Sequence, residues 1–243
     1  MPGTRAVVCL PTYEEAENVE RMIRALGGVL DPDRDRVLVI DDASPDGTGA
    51  IADRLARELG WVEVLHRERR EGLGPAYLAG FRRALETEAS FVLELDCDFS
   101  HDPADVPRLI SLAERGADLV LGSRYVTGGE VVNWSLRRRA ISAAGCLYAR
   151  VVLGVPVRDL TGGFKCFRRE VLEQLDLAAV SSRGYAFQIE LTYRALRAGF
   201  RVAELPIRFT DRVDGVSKLG RGVVLEAVWR VPALRLRALT GRL

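Results

Sequence analysis

Short apolar runs alternate with amphipathic helical stripes through the first part of the chain, and no other feature restricts the fold so tightly. Ala6 to Leu10, Val37 to Ile40, Val62 to Leu65 and Phe91 to Leu95 are strand-length runs. Between them, Val19, Met22, Ile23 and Leu26 recur at i, i+3, i+4 and i+7, and Ile51, Leu55 and Leu59 mark a second stripe. Tyr77, Phe81 and Leu85 mark a third, after Gly72-Leu73-Gly74-Pro75. Asn18 is placed to cap the first helix, and Pro75 suits a first helical turn. Strand and helix in this rhythm imply right-handed crossovers and an α/β fold, a mostly parallel sheet with helices on both faces.

Ligands of such sheets bind outside the carboxyl ends of the strands. Here the first run ends in Tyr13 and Glu15, the second in Asp41 and Asp42, and the fourth in Asp96 and Asp98. Three acidic or polar strand ends on one rim define a site. Continued strand alternation would point Asp96 and Asp98 the same way, and converging carboxylates are costly unless a cation lies between them. A hard divalent metal is one reading; a turn cap beside a solvated carboxylate is the other. A fifth strand from Asp118 to Gly122 ends in Ser123-Arg124-Tyr125. Arg124 either holds a phosphate oxygen or pairs with one of the rim aspartates.

The rhythm breaks between Val126 and Asp159. Trp134 reads as a partly exposed aromatic, and Arg137-Arg138-Arg139 opens a helix through Leu153. Asp159 to Lys165 is a polar corner whose Gly162 and Gly163 let backbone approach a ligand. Phe164 to Phe167 reads as a strand, and Phe187 to Ala198 as a helix with Gln188 and Glu190 near its start. Val202 to Leu205 and Ile207 to Phe209 flank Pro206 as extended edge segments, and the loop from Asp211 carries the cations Arg212 and Lys218. From Leu219 onward, leucines and valines mix with Arg221, Arg230, Arg235, Arg237 and Arg242 against the single acid Glu226. That pattern suits either a basic amphipathic helix on an anionic membrane surface or a terminal helix packed on the domain. The organisation is therefore one domain over 1–218 and a basic amphipathic helical extension over 219–243.

Composition excludes several classes. A net charge of +1 argues against nucleic acid as a partner. No apolar run approaches a bilayer span. Cys9, Cys97, Cys146 and Cys166 form no Cys-x-x-Cys pair, so neither zinc nor a disulfide framework is indicated. There is no Gly-x-x-x-x-Gly-Lys-Ser/Thr loop, no Gly-x-Gly-x-x-Gly after the first strand, and no serine or cysteine motif around His66 or His101. A nucleoside diphosphate fits what remains.

These blocks resemble the inverting GT-A glycosyltransferases of family 2, and within them the polyprenyl- or dolichyl-phosphate mannose synthases. The resemblance rests on Pro11 to Glu15 with Asn18, Val39 to Thr48, Gly72-Leu73-Gly74, Asp96 to His101 and Gly122 to Tyr125. Asp159 to Phe164, Gly184 to Glu190, and Asp211-Arg212 with Ser217-Lys218 narrow it to the mannose synthases.

The resemblance implies a GT-A (Rossmann-like) fold, GDP-mannose as donor and a polyprenyl monophosphate as acceptor. It assigns Pro11, Tyr13, Glu15, Ile40 and Asp42 to the guanosine part, and Asp96, Cys97 and Asp98 to ribose, diphosphate and sugar. Asp98 with Ser100, and Asp96, would hold Mg²⁺ or Mn²⁺; many relatives carry Gln where Ser100 stands. Asp98, Arg124, Arg212 and Lys218 would be catalytic, the three cations contacting phosphates, while Arg138, Asp159, Thr161, Gln188 and Glu190 would meet the acceptor. An acceptor that is already an anion needs no general base, so Glu190 is expected to be structural or acceptor-positioning. The expected location is peripheral, on the cytoplasmic face of a membrane, through the basic tail, the Arg137 to Arg139 segment or a separate integral-membrane partner protein. A polyprenyl-phosphate glucosyl- or aminosugar transferase using a UDP-sugar is the nearest alternative.

Overall fold

The computed structural model describes residues 3–180, 182, 184–211 and 221–241, leaving aside the side chains of 185 and 221–227. Each apolar run becomes a strand and each stripe a helix. The first half runs β1 (Ala6–Thr12), α1 (Val19–Gly27), β2 (Asp35–Asp41), α2 (Thr48–Leu59), β3 (Val62–His66), α3 (Leu73–Leu85) and β4 (Phe91–Glu94). A 3₁₀ turn at Pro103–Asp105 leads into α4 (Val106–Glu114), β5 (Leu119–Ser123), β6 (Glu130–Val132) and α5 (Leu136–Leu153). The remainder is β7 (Lys165–Arg168), α6 (Arg169–Gln174), α7 (Gly184–Arg197), β8 (Val202–Pro206), β9 (Arg208–Thr210) and α8 (Arg221–Leu239).

Seven strands form one sheet in the order β3-β2-β1-β4-β7-β5-β8, and β6 pairs with β9 in a separate two-stranded sheet. All pairs in the large sheet are parallel except those of β7, which lies antiparallel between β4 and β5. The chain moves outward from β1 through β2 to β3 and then returns to β4 on the other side of β1. The crevice at that reversal is where open α/β sheets bind ligands.

Strand alternation divides the core. Val8, Leu10, Val37, Val39 and Leu93 face α1, α2 and α4, whose Met22, Ile23, Leu55, Leu109 and Ile110 are buried with them. Cys9, Leu38, Ile40, Val92, Leu121 and Phe167 face the other way, under Tyr77, Phe81, Phe187 and Leu191 of α3 and α7. Each fully buried side chain of this kind contributes about 1.5–3 kcal/mol, so the hydrophobic effect fixes the layers before polar detail matters.

The terminal helix packs on the domain, as one of the two readings of the tail expects. Val231, Leu234 and Ala238 of α8 are buried in the same cluster as Ala149 and Leu153 of α5. The Tyr148 hydroxyl donates to the Val228 carbonyl (2.8 Å), and Arg235 Nη1 donates to the Leu153 carbonyl (3.0 Å). Yet Val228, Trp229, Leu236 and Leu239 remain exposed, as do Leu136, Ile141, Leu147 and Val151 of α5. The expected boundary at 218 falls outside the described residues. Asn18 stands at the start of α1 without capping it, because its Nδ2 turns to Glu15 Oε2 instead (2.9 Å).

Candidate donor-binding site

A cavity of about 320 Å³ opens at the carboxyl ends of β1, β2 and β4 and extends towards β5 and β9. The chain leaves β1, β2 and β4 through a non-glycine residue in the left-handed region: Glu14 (φ 55°), Ala43 (φ 60°) and Phe99 (φ 57°). Such backbone is sparsely populated outside glycine, and it recurs here on one rim of the sheet.

At the ends of β1 and β2, Pro11, Tyr13, Glu15 and Asp42 line the cavity together with Arg70, whose guanidinium lies 3.8 Å from the Tyr13 ring centroid. Asp42 is buried; its carboxylate accepts from Gly72 N (2.8 Å), Glu71 N (3.1 Å) and Arg67 Nη1 (2.5 Å). It therefore ties the loop before α3 to the end of β2. Gly72 accepts that arrangement because its φ of 94° excludes an ordinary side chain. Ile40 does not line the cavity; its side chain belongs to the core beneath α3. Alternation explains this, since Ile40 and Asp42 share a face only while the strand continues, and β2 stops at Asp41.

The Asp-x-Asp stretch is turned, not extended. β4 stops at Glu94, so the expected alternation does not carry through to Asp98. Asp96 lines the cavity and its Oδ1 accepts from the Tyr77 hydroxyl (3.1 Å). Asp98 is buried next to it, its Oδ1 accepting from Ser100 N (3.0 Å) and Ser100 Oγ (2.5 Å) across the left-handed Phe99. Cys97 also lines the cavity, and burial pushes its thiol well above the usual cysteine range, so it presents no thiolate.

No group of three or more His, Cys, Asp or Glu side chains with metal-binding geometry occurs among the described residues. Two carboxylates and a serine hydroxyl are nevertheless the hard oxygen donors that Mg²⁺ and Mn²⁺ prefer. Such ions commonly take one or two carboxylates and complete their shell with water and substrate phosphate. Asp96 and Ser100 offer such donors to the cavity, while Asp98 is buried and not among the residues that line it.

Arg124 pairs with neither rim aspartate. It lines the cavity, yet its Nε and Nη2 each donate to Asp159 at 2.7 Å, and Nη2 donates to Thr161 Oγ1 (2.8 Å). Its partner is thus Asp159, not a rim aspartate. Burial would raise the Asp159 pKa, but the guanidinium and its hydrogen bonds prevail and hold it below the ordinary aspartate range. Trp134 and Phe209 flank the same guanidinium at 5.7 and 5.3 Å. Arg138 stacks over Trp134 (4.1 Å) and donates to Asp211 Oδ1 (2.8 Å) and Oδ2 (2.7 Å).

Of the expected acceptor residues, Arg138, Thr161 and Gln188 line the cavity, while Asp159 and Glu190 are fully buried behind it. Glu190 accepts from Arg194 Nε (2.9 Å) and Ser182 N (3.1 Å), a supporting geometry. Arg212 and Lys218 lie outside the described residues. Sequence reasoning passed over Arg67, Arg70, Tyr77, Glu94 and Lys165. A charge embedded in an apolar run, as in Glu94 and Lys165, was the signal available for the last two.

The family profile of "Glycosyl transferase family 2" matches residues 7–176. The chain belongs to that family. It is 46% identical over 237 residues to the polyprenol monophosphomannose synthase of Mycolicibacterium smegmatis, covering 97% of this chain and 89% of that protein. It is 47% identical over 234 residues to the undecaprenyl-phosphate mannosyltransferase of Micrococcus luteus, covering 96% and 95%. Among solved structures, glucosyl-3-phosphoglycerate synthase from Mycobacterium tuberculosis in complex with Mn²⁺, UDP and glucosyl-3-phosphoglycerate superposes with a TM-score of 0.64 at 22% identity. That match covers 99% of this chain and 80% of the other and shows the same fold. A further structure of that enzyme holds Mg²⁺ and UDP, with a TM-score of 0.64 at 21% identity and coverage of 99% and 79%.

Proposed function

We propose that this protein transfers mannose from GDP-mannose to a polyprenyl monophosphate with inversion, giving polyprenyl-phosphate β-mannose and GDP. The observation that carries the reading is near-full-length similarity, at 46% and 47% identity, to two enzymes named for mannose transfer to lipid phosphates. The cavity supports it by joining a nucleotide side, a pair of carboxylates and a cationic, aromatic side.

In this reading Tyr13 and Arg70 flank the base, Glu15 and Asp42 face the nucleoside, and Asp96 faces the ribose or sugar. Asp98, Ser100 and Asp96 would hold Mg²⁺ or Mn²⁺, which would supply positive charge to the diphosphate. Arg124, kept in place by Asp159, adds fixed positive charge where negative charge develops. Arg212 and Lys218 are assigned the same task. Arg138 receives the acceptor phosphate: its partner Asp211 is partly exposed, and ion pairs of that kind are worth at most about 1 kcal/mol, so a phosphate dianion competes with it. The acceptor oxygen is already anionic and attacks the anomeric carbon in line, opposite the leaving diphosphate. No general base is required, which suits the inward-facing ion pair of Glu190.

The exposed apolar residues of α5 and α8 lie among Arg137, Arg150 and Arg237, a combination suited to anionic headgroups. We assign this face to the membrane surface on the cytoplasmic side, alone or beside an integral-membrane partner. No helix among the described residues is long and apolar enough to cross a membrane.

Calorimetric titration with GDP and UDP in the presence of Mn²⁺ tests the donor assignment. GDP should bind at least tenfold more tightly; preference for UDP would replace mannose transfer by glucosyl or aminosugar transfer.

A further inference from the structure

Two arginine–carboxylate pairs flank one indole in the part of the cavity towards β5 and β9, and they differ in kind. The Arg124 and Arg138 guanidinium groups lie 5.7 and 4.1 Å from the Trp134 ring, and all three residues line the cavity with Asp211. The Arg124 pair is closed: two guanidinium nitrogens meet two oxygens of Asp159, whose side chain is fully buried. The Arg138 pair is open. A single nitrogen, Nη1, serves both oxygens of Asp211 at 2.8 and 2.7 Å, and the two side chains are 28% and 36% exposed.

Arg138 does not depend on Asp211 for its place. It stacks on Trp134, which in turn meets the Phe209 ring edge-on at 5.2 Å. Its backbone N–H donates to Oγ of Ser135, the N-cap of α5, which fixes the first turn of the helix (3.3 Å). Asp211 is held by its backbone, its N–H donating to the Val132 carbonyl at the end of the β6–β9 ribbon (3.3 Å). Side-chain rotation can therefore carry the carboxylate off the guanidinium while the cation stays. The first turn of α5 contains Arg137, Arg138 and Arg139 and no acid, although that end of a helix favours negative charge. Asp211 brings that charge from the end of β9. Two carboxylate oxygens on a guanidinium reproduce two of the terminal oxygens of a phosphate monoester.

We infer that Asp211 is an internal occupant of the acceptor-phosphate position: it holds Arg138 between turnovers, yields it to the incoming phosphate and takes it back as product leaves. This rests on the polyprenyl-phosphate reading of the cavity. A tethered carboxylate is present at a constant effective concentration, so it loosens every anion that uses Arg138 by the same factor, acceptor and product alike. The acceptor monoester carries close to two negative charges at neutral pH. The mannosylated product is a diester with one, and is the weaker ligand from the outset. A common loosening leaves the dianion bound and lets the monoanion go. Asp211 acts through Arg138 without meeting the reacting atoms, so it is a positioning residue, and its removal should tighten binding.

The test is calorimetric binding of a short polyprenyl phosphate and of its methyl ester, a diester like the product. The proteins are wild type, Asp211→Asn, Arg138→Met and the double variant, each checked for folding by thermal unfolding. Asp211→Asn should bind both ligands on the order of fivefold more tightly, the upper end of what a half-exposed ion pair is worth. Inhibition of transfer by the mannosylated product should strengthen in parallel. Arg138→Met should weaken both ligands, and the double variant should show no gain over it. Unchanged or weaker binding in Asp211→Asn, as a merely structural ion pair would give, overturns the inference, and so does a gain that survives in the double variant. Asp211→Ser decides in the same way if the asparagine variant does not fold. A wild type that binds GDP but neither lipid phosphate removes the acceptor-site reading and the inference with it.

Discussion

The guanidinium of Arg124 clasps the carboxylate of Asp159, Nε to Oδ2 and Nη2 to Oδ1 both at 2.7 Å, with both side chains buried. Asp159 also accepts from the Arg124 backbone N–H (2.9 Å), which pins the end of β5 to the glycine corner before β7. The pair gives the cavity a cation whose position does not depend on ligand.

Asp159→Asn leaves that cation buried and half-partnered. Breaking one side of a buried pair costs about 3–5 kcal/mol, which in a chain of this size lowers Tm by on the order of 10 °C. The Asp159 pKa is depressed in the folded state, so its contribution is complete above the ordinary aspartate pKa and disappears as pH falls through the folded value. Thermal unfolding should therefore show a gap between wild type and variant that is full at neutral pH and closes in acid.

Asp98→Ala removes the carboxylate that organises the turn through Ser100 and is assigned to the metal. Transfer should fall to background with the circular-dichroism spectrum retained, whereas Ser100→Ala should only raise the Mn²⁺ concentration needed for half-maximal rate. Wild-type turnover in Asp98→Ala would contradict the metal assignment.

His66 bridges Asp53 (2.9 Å) and Asp41 (3.3 Å) at the end of β3. The bond to Asp53 raises its pKa; burial opposes that rise, and the weaker bond to Asp41 adds to it. A raised folded pKa means stability that is fully present below the ordinary histidine value and lost as pH rises through the folded one. The ring is half-exposed, so the effect is well under what a buried pair gives. His66→Gln should be less stable than wild type near pH 5.5 and indistinguishable near pH 9 in denaturant titrations.

The exposed residues of α5 and α8 should bind vesicles containing anionic lipid. Trp229→Glu with Leu236→Glu places two carboxylates on that face without touching the buried Val231, Leu234 and Ala238. Vesicle cosedimentation should fall severalfold at unchanged Tm. Unchanged cosedimentation would return α8 to a packing role alone.

Much of this molecule could be read before its coordinates. The strand and helix runs from Ala6 to Leu95 emerge as elements because their period matches their environment on both sheet faces. The rim was legible for the same reason: strand ends in a parallel sheet converge whatever their sequence. Side-chain partnership was not. Arg124 and Asp159 are 35 positions apart, and only the packing of the corner after α5 against β5 brings them together. The alternation expected to carry Asp96 and Asp98 outward failed at Glu94, where a left-handed Phe99 folds the carboxylates into a turn. The antiparallel insertion of β7 hid the buried pair Glu94 and Lys165, because its register with β4 is what makes them neighbours.

The central proposal is tested most directly by incubating the protein with Mn²⁺, a short polyprenyl phosphate and GDP-mannose, UDP-glucose or a UDP-aminosugar, each labelled in the sugar, and then partitioning the products. Label should enter the organic phase from GDP-mannose, in a β-linked mannosyl phosphate. Label entering only from a UDP-sugar would contradict the mannose assignment, and no transfer from any donor would contradict the enzyme itself.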